Sequence, residues 1–402
     1  MVAWGRVRTG WKVPAGAVLV ALMAASSGPT PLWGYYRREF GLSGLDVTVV
    51  FGVYALALLG ALLAVGRWSG RWGRRGILVG ALVVAAGAMG LLAMADGLGW
   101  LVVGRVVQGL ATGVGVSTAG AVLVARRGRE GKRRAALVNA LAPVLGMGGG
   151  VLLAVLLVRF GPAPEVVVYA VPGVVFAVLA VVVWGAGEVI PVGEQGERVT
   201  AAGTGRGVLV RAGGAVAAVW ALGGFYPSLG PALVRVVAPG LPEVLGGMAF
   251  FALTAAAAVT VWVVRRMRPE VAAMIGAVGV LPSVALTLAA LYGGGAAALF
   301  GGAVLAGVAF GAASQGVLRM VTGLAVRERA AGLAAYQVLA YGAMSVPVIA
   351  AGAASEVWGL GRTAQVYAGV AALLALGAVA GLRASGRKGG GGSDGAVNLA
   401  RA

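Results

Sequence analysis

The chain contains twelve apolar segments, and each is long enough to cross a lipid bilayer as a helix. A membrane-spanning helix needs roughly 20 apolar residues, and 60% of the 402 residues are hydrophobic whereas 11% are charged. Because lipid offers the backbone no hydrogen-bond partner, each segment has to be helical. This pattern predicts an all-α integral membrane protein and excludes a soluble enzyme. The segments, numbered spans 1 to 12, cover residues 13–34, 45–65, 77–95, 100–125, 135–158, 166–187, 213–235, 244–264, 271–291, 297–319, 332–354 and 364–382.

Residue types that the chain lacks exclude several kinds of chemistry. It has no Cys and no His, so disulfides, thiol catalysis, thiolate or imidazole metal sites and His-based acid–base catalysis are ruled out. The sequence also has no nucleotide-binding P-loop, which argues against direct use of ATP. We therefore expect no enzymatic activity, no cofactor and no metal site.

The net charge of +19 is distributed according to the loops between the spans. If the N-terminus is cytoplasmic, 26 of the 32 basic residues fall on the cytoplasmic side, many of them in loops 66–76, 126–134 and 265–270. Five fall on the external side, and Arg105 lies inside span 4. This asymmetry is the positive-inside pattern of membrane proteins. It predicts a multi-pass protein of the cytoplasmic membrane with both termini in the cytoplasm, and it explains the charge without nucleic acid as a partner.

Features of the chain recur after a shift of 198 residues. Gly109 and Gly113 of span 4 fall on Gly307 and Gly311 of span 10. The interval contains six spans, so the two halves have the same orientation, and such parallel repeats place a binding site near the midplane between them. The expected domains are an N-terminal six-helix half, a cytoplasmic linker, a C-terminal six-helix half and a flexible cytoplasmic tail, at residues 1–190, 191–212, 213–384 and 385–402.

Two motifs resemble signatures of the major facilitator superfamily. The loop from Gly66 to Arg75 reads GRWSGRWGRR, which is similar to the family's loop signature G-x-x-x-D-R-x-G-R-R. Span 4 carries RVVQG from Arg105 to Gly109, which is similar to the motif R-x-x-Q-G. Residues 31–43 resemble bacterial drug-efflux members. The resemblance implies that superfamily's fold, twelve transmembrane helices in two six-helix pseudo-repeats, and the activity of a secondary transporter.

The match to these motifs has two departures. Gly70 stands where the loop signature has an aspartate, which in the family helps to latch the cytoplasmic gate. The antiporter signature of span 5 is matched only in part, at Pro143 and Gly146 or, in a shifted register, at Gly146 and Gly150. For the glycines of spans 4, 5 and 10, static helix packing is an alternative to movement. The residues expected to act in gating or conformational change are Gly66, Arg71, Gly73, Arg74, Arg75, Gln108, Gly109, Gly113, Pro143 and Gly146.

Charged residues inside the spans are candidates for coupling. A guanidinium inside a span costs about 2.5–3.5 kcal/mol, so Arg105 should face the interior and bond to carbonyls, water or polar side chains. We interpret it as a contact for substrate or for a proton relay, with snorkelling to the interface as the alternative. None of the thirteen carboxylates is in the middle of a span. Asp46 is the nearest acid, although the helix dipole alone could explain an acid at that position.

Polar and aromatic residues in otherwise aliphatic spans predict the lining of a binding site. Prolines such as Pro29 in span 1 and Pro227 in span 7 predict broken or bent helices at corresponding places in the two halves, which point to the same site. For each lining residue, a helix-to-helix hydrogen bond or an interface anchor is the alternative. The residues expected to bind substrate are Ser27, Thr30, Arg105, Asn139, Trp220, Tyr226, Gln315, Tyr336, Gln337 and Tyr341.

This mostly apolar, neutral set of side chains suits an amphiphilic or aromatic small molecule. We therefore expect export of a small lipophilic or amphiphilic molecule by alternating access, with protons as a candidate coupling ion. Facilitated uptake of a neutral nutrient is one alternative, because it needs no mid-span carboxylate. A non-transporting membrane sensor with the same fold is another. The expected partners are the substrate, protons and membrane lipids, and the chain is expected to act as a monomer.

Overall fold

The computed structural model describes residues 12–65, 73–124, 129–186 and 205–390, and these residues are helical nearly throughout. Gly66 and Arg71, residues 191–204 of the predicted linker and residues 391–402 of the predicted tail lie outside the described residues. The helices are α1 Lys12–Ser27, α2 Trp33–Glu39, α3 Gly44–Ala64, α4 Gly73–Ala93, α5 Leu98–Val124, α6 Arg129–Phe160, α7 Pro164–Gly185, α8 Gly205–Val237, α9 Gly246–Val264, α10 Pro269–Ala289, α11 Gly295–Thr322 and α12 Val326–Gly390.

The number of membrane spans depends on two long helical stretches. Within the described residues, ten stretches are long and apolar enough to cross a membrane, and two of these are 54 and 57 residues long, Pro269–Thr322 and Glu328–Ala384. The first contains Gly293 and Gly295 with positive φ angles, and the second contains Gly359 with a φ of 76°. Backbone of this kind favours glycine and interrupts a helix. These breaks divide both stretches and give the twelve spans that the sequence predicts.

The two parts of α12 on either side of Gly359 run in opposite directions along α8. The first part is parallel to α8 and the second is antiparallel to it, so each crosses the membrane separately. Contacts of the first part place Gly213 against Leu339 and Gly224 against Val348, and contacts of the second place Arg211 against Gly381, Gly214 against Leu374 and Ala221 against Tyr367.

One glycine-mediated helix contact occurs in both halves of the chain. At Gly109 of α5, an added Cβ would overlap the Tyr54 carbonyl oxygen of α3. At Gly307 of α11, an added Cβ would overlap the Leu253 carbonyl oxygen of α9. Tyr54 and Leu253 are themselves 199 residues apart. The internal repeat of the sequence therefore corresponds to a repeated packing of two helices, in which small residues let the backbones approach.

The first span is broken, as the sequence predicts, but the seventh is not. The α1 helix ends at Ser27, a 3₁₀ turn at Thr30–Leu32 follows, and α2 continues the chain to Glu39. By contrast, α8 remains helical through Pro227 and Pro231. The expectation of a break at the matched position therefore fails for span 7, because a proline inside a membrane helix can be tolerated when other groups bond to the carbonyl that it frees. A bend of α8 at these prolines, the other form of the expectation, stays a prediction.

Gly307→Ala should lower the thermal stability of the purified protein. The added methyl group would overlap the Leu253 carbonyl, and overpacking of this kind costs about 1–3 kcal/mol. We expect a fall in melting temperature measured in detergent by size-exclusion fluorescence. Gly90→Ala on the exposed face of α4 is the control, since nothing lies within 4 Å of an added Cβ there. Equal melting temperatures for the two variants would contradict this packing.

Candidate functional site

Contacts between the two halves run from one end of the bundle towards its middle. We call this end the external end, following the charge pattern of the sequence, and the opposite end the cytoplasmic end. The external end is formed by residues 40–43, 94–97, 161–163, 238–245, 290–294 and Gly359.

At the external end, the two halves are joined by direct hydrogen bonds. The Trp33 indole N–H donates to the Pro227 carbonyl over 2.9 Å. The Glu356 carboxylate accepts the Gly44 backbone N–H at 2.6 Å and the Leu45 N–H at 3.3 Å. A carboxylate from the second half therefore caps the first turn of α3 in the first half, where the helix dipole favours negative charge. These bonds hold the external end closed.

Two prolines each remove the helical donor to the carbonyl four residues earlier, and a side chain of another helix donates to that carbonyl instead. Because Pro231 has no N–H, the carbonyl of Pro227, four residues earlier, has no helical donor; this is the carbonyl that accepts the indole N–H. Pro29 likewise removes the usual helical donor to the Ala25 carbonyl, which accepts the Gly28 N–H at 3.4 Å and the Gln108 side-chain amide at 3.0 Å. Each proline thus creates an acceptor inside the bundle that a side chain of another helix occupies.

Arg105 lies between the helices of the first half, in the external third of α5, and only 1% of its surface is exposed. Its Nη1 donates to the Ser26 carbonyl at 3.2 Å and to the Gln108 side-chain oxygen at 2.7 Å, and its Nε donates to the Val50 carbonyl at 3.4 Å. The guanidinium also lies 4.1 Å from the centroid of the Tyr54 ring. The buried cation therefore joins α1, α3 and α5 through carbonyls, one amide and one aromatic face.

An aromatic row leads from this cation across the boundary between the halves. Tyr54 belongs to a small buried cluster against which Tyr341 of α12 packs. The Tyr341 ring lies 5.1 Å from the Trp220 ring of α8, edge to face, and the Trp220 ring lies 5.2 Å from the Phe310 ring of α11. We call Tyr54, Tyr341, Trp220 and Phe310 the aromatic row. It brings one helix of the first half together with three of the second.

Buried polar atoms beside the aromatic row have no hydrogen-bond partner. Within the described residues these are the Tyr54 hydroxyl, Thr112 Oγ1, Trp220 Nε1 and Ser314 Oγ. Thr112 lies next to the Tyr54 hydroxyl, whereas Trp220 and Ser314 lie next to the Tyr336 hydroxyl. Although these groups are neighbours, none of the four atoms forms a hydrogen bond of acceptable geometry. The two groups of atoms, on either side of Tyr341, are therefore positions where a ligand or water can form hydrogen bonds.

The structure gathers some of the predicted substrate-binding residues and separates others. Trp220 and Tyr341 are in the aromatic row, Tyr336 is beside it, and Arg105 contacts its Tyr54 end. Thr30 is buried in the turn after α1, and Gln315 and Gln337 are half-buried on α11 and α12. Three others form hydrogen bonds between helices, namely Tyr226 with Thr287, Ser27 with Met147 and Asn139 with Gly120.

The functional residues predicted from the sequence do not include Tyr54, Phe310 or Glu356. Tyr54 and Phe310 meet the same criterion as the selected residues, since both are aromatic side chains in an aliphatic span. Their role depends on which helices face each other across the two halves, and the spacing of the spans does not show this. Glu356 is identified by sequence only as an external acid, and its bonds to α3 depend on a contact across about 310 residues of chain.

Asp46, the carboxylate candidate for coupling, caps its own helix. Its Oδ2 accepts the Ser43 backbone N–H at 2.9 Å, while the Ser43 hydroxyl accepts the Asp46 N–H at 3.1 Å. This reciprocal pair is a capping box at the start of α3. The arrangement accounts for an acid at this position without a role in coupling.

Most of the predicted gating residues are located by the structure. Gly73 begins α4 with a φ of 64°, and the Arg75 guanidinium lies 4.3 Å from the centroid of the Trp184 ring on α7. At Gly146 of α6, an added Cβ would lie 2.6 Å from the Val20 carbonyl oxygen of α1. The remaining described members are Arg74, half-buried in the first turn of α4, Gln108 beside the buried arginine, Gly109 and Gly113 against α3, and Pro143 inside α6.

Comparison with known proteins gives a family match and a fold match. A family model described as Major Facilitator Superfamily matches residues 15–347. No curated protein matches the sequence. The solved structure of the nucleoside transporter NupG is similar with a TM-score of 0.67 and 13% identity over 93% of this chain and 99% of that one.

A second solved structure is similar over an equally large part of the chain. It is a bacterial homolog of the human lysosomal transporter Spinster in an inward-facing, unoccupied conformation, with a TM-score of 0.71 and 14% identity. The match covers 94% of this chain and 95% of that one. At these identities, both similarities concern the fold alone.

Glu356→Ala should make the external end easier to open. The substitution removes the acceptor of two N–H groups, and hydrogen bonds to a charged group contribute about 1.5–3 kcal/mol. Thr48→Cys places a thiol at a buried contact with Gly352, in a chain with no other cysteine. We expect a membrane-impermeant maleimide added from outside to label this thiol about tenfold faster or more when Glu356 is also replaced.

Glu165→Ala is the matched control for this experiment. Glu165 is also an acid at the external end, in the first turn of α7, but it makes no bond to α3. Labelling of Thr48→Cys should be unchanged in this background. A labelling rate that does not respond to Glu356→Ala would show that these bonds do not hold the end closed.

Proposed function

Because the chain belongs to the Major Facilitator Superfamily of secondary transporters, we propose that it exports a small lipophilic or amphiphilic molecule by alternating access. It is a multi-pass integral membrane protein and a transporter rather than an enzyme. The observation that carries the proposal is the aromatic row between the halves, with unpaired polar atoms on either side of Tyr341. We propose that the substrate binds along this row.

The chemistry of the row favours a neutral or weakly polar molecule with an aromatic part. Trp220 Nε1 can only donate, so a ligand that bonds to it presents an acceptor. The charge of Arg105 is already contacted by two carbonyls, the Gln108 amide and the Tyr54 ring. A sugar would require more hydrogen-bonding groups than the row offers, and an anion would be expected to need further cations.

We propose that the two halves, residues 1–190 and 213–384, move as rigid bodies around this row. The bonds of Trp33 and Glu356 cross between the halves, and outward opening would have to break them. The bonds of Arg105 lie within the first half and would stay intact. The substrate would drive the exchange by its different affinity for the two states. We place both termini in the cytoplasm and the protein in the cytoplasmic membrane as a monomer, on the charge asymmetry of its loops.

Protons are the proposed coupling ion, with Arg105 as the candidate residue in the interior. Asp46 is the weaker candidate, because its carboxylate caps a helix. The lack of a mid-span carboxylate also favours a second candidate function, facilitated uptake of a neutral solute, which needs no coupling ion. These functions differ in whether transport against a gradient occurs.

Flux into proteoliposomes with and without a pH gradient tests the proposal. The panel contains hydrophobic compounds, including chloramphenicol, and neutral nutrients, including uridine. Export predicts that a hydrophobic compound accumulates when the gradient is imposed. Downhill equilibration of a neutral nutrient alone, indifferent to the gradient, would favour facilitated uptake. Binding of a compound without any flux would identify a sensor and contradict transport.

Arg105→Ala should abolish flux while the protein remains inserted in the membrane. The substitution leaves the Ser26 carbonyl and the Gln108 side chain without their partner and removes the cation beside Tyr54. Arg362→Ala at the exposed external end is the control and should transport normally. Flux is compared at equal amounts of monodisperse protein, and normal flux by Arg105→Ala would limit the arginine to a dispensable structural role.

Trp220→Phe should weaken substrate binding without disrupting the row. Phenylalanine keeps an aromatic ring beside Phe310 and Tyr341 but removes the N–H donor, and one hydrogen bond contributes about 0.5–1.5 kcal/mol. We expect the KM of flux to rise about twofold to tenfold. Trp262→Phe, on the exposed face of α9, is the matched control. An unchanged KM for Trp220→Phe would place the substrate elsewhere.

A further inference from the structure

A large apolar groove lies away from the aromatic row, on the membrane-facing side of the first half. Helices α3 and α4 both pack against α5, and a groove of about 620 Å³ remains between them. Gly60 of α3 and Gly80 of α4 contribute to its two walls, and Ala111 of α5 contributes to its floor. All of its lining side chains are apolar. The groove opens towards the lipid, because both wall glycines are exposed.

The groove has the length of a lipid chain in one leaflet. Along α4 it extends from Gly76 to Val84, and eight residues of helix rise about 12 Å. Half of a hydrocarbon core that is about 30 Å thick measures roughly 15 Å. Since α4 begins at the cytoplasmic end, the groove lies in the cytoplasmic leaflet. An empty groove of this volume would forfeit the dispersion contacts of its lining atoms, so an apolar chain stabilises it.

A cation stands at the cytoplasmic mouth of the groove. Arg74 lies three residues before Ile77 and seven before Ala81, two of the lining residues, and this spacing places all three on one side of the helix. Long helical side chains point towards the N-terminus of their helix, which for α4 is the headgroup region. Arg75 occupies a different side, because its guanidinium lies over the Trp184 ring of α7.

We propose that this groove binds an anionic phospholipid of the cytoplasmic leaflet, with one acyl chain between α3 and α4 and the phosphate on Arg74. The apolar lining selects the chain, and the guanidinium selects the headgroup through charge-assisted hydrogen bonds. Anionic lipids are enriched on the cytoplasmic side, where basic residues attract them. The site is independent of the proposed substrate and of the direction of transport.

Native mass spectrometry of the full-length, delipidated protein tests this assignment. The probes are palmitoyl-oleoyl phosphatidylglycerol and palmitoyl-oleoyl phosphatidylcholine, which have the same chains but differ in net charge. We expect the wild-type protein to bind the first about tenfold more tightly than the second. Arg74→Gln should remove most of this preference. Arg75→Gln removes the same charge from the same turn and should retain the preference.

Substitutions that fill the groove test the position of the acyl chain. Gly80→Phe places a ring between the walls and should weaken binding of both lipids about tenfold or more. Gly87→Phe is the control on the same helix, since Gly87 is also exposed with nothing within 4 Å of an added Cβ. Gly60→Phe on the opposite wall repeats the test in case Gly80→Phe does not fold.

Three results would overturn the proposal. Equal losses for Arg74→Gln and Arg75→Gln would indicate diffuse attraction by the basic loop. Equal binding by Gly60→Phe, Gly80→Phe and Gly87→Phe would place the chain outside the groove. A change from dimer to monomer in the groove-filling variants, without a change in bound lipid, would identify a second copy of the protein as the occupant.

Discussion

Lipid cannot donate a hydrogen bond to a free carbonyl. Inside this protein, side chains of neighbouring helices donate to the carbonyls that have lost their helical donors. Pro29 ends the regular hydrogen bonding of α1 and leaves the Ala25 carbonyl, inside the first half, with one long backbone bond from the Gly28 N–H at 3.4 Å. Gln108 donates to that carbonyl, and Arg105 donates to the carbonyls of Ser26 and Val50. The broken helix and the buried cation therefore stabilise each other, since either one alone would leave unpaired polar groups in an apolar surrounding.

The lack of hydrogen-bond donors in lipid also explains a reversible contact between the halves. It forms where a carbonyl that a proline has freed from its helix faces the other half. Pro231 exposes the Pro227 carbonyl, and its donor is Trp33 from the opposite half. Together with the cap that Glu356 places on α3, this bond closes the external end. Bonds inside a half keep it rigid, whereas bonds between the halves are the ones that a rocking motion would exchange. A rigid half and a breakable closure are the two properties that alternating access requires.

The sequence is sufficient for the fold but only partly sufficient for the site. Twelve spans follow from hydrophobic length, and the repeated glycine contact at Gly109 and Gly307 follows from the internal repeat. The aromatic row does not follow, because hydropathy shows which segments cross the membrane but not which of their faces meet. Tyr226 meets the sequence criterion for a binding residue, yet it pairs with Thr287 inside one half. Tyr54 meets the same criterion and joins the row only through the packing of α3 against α12.

The sequence also does not show which prolines end a helix and which lie within a continuous one. The prolines of span 1 and span 7 read alike, but α1 ends near its prolines whereas α8 continues through them. The difference lies in the surroundings, since the polar side chains of α5 bond the broken end of α1, and a single indole N–H suffices for α8. Such partners are distant in the chain, so local pattern cannot distinguish a break from a tolerated proline.

Double electron–electron resonance on the otherwise cysteine-free chain tests the central claim, that the halves open alternately, most directly. One spin-label pair, at positions 96 and 362, spans the external end, and another, at positions 133 and 266, spans the cytoplasmic end; all four positions are exposed. A transported compound should lengthen one distance while shortening the other. Distances that stay fixed at both ends, or that lengthen together, would contradict alternating access by two rigid halves.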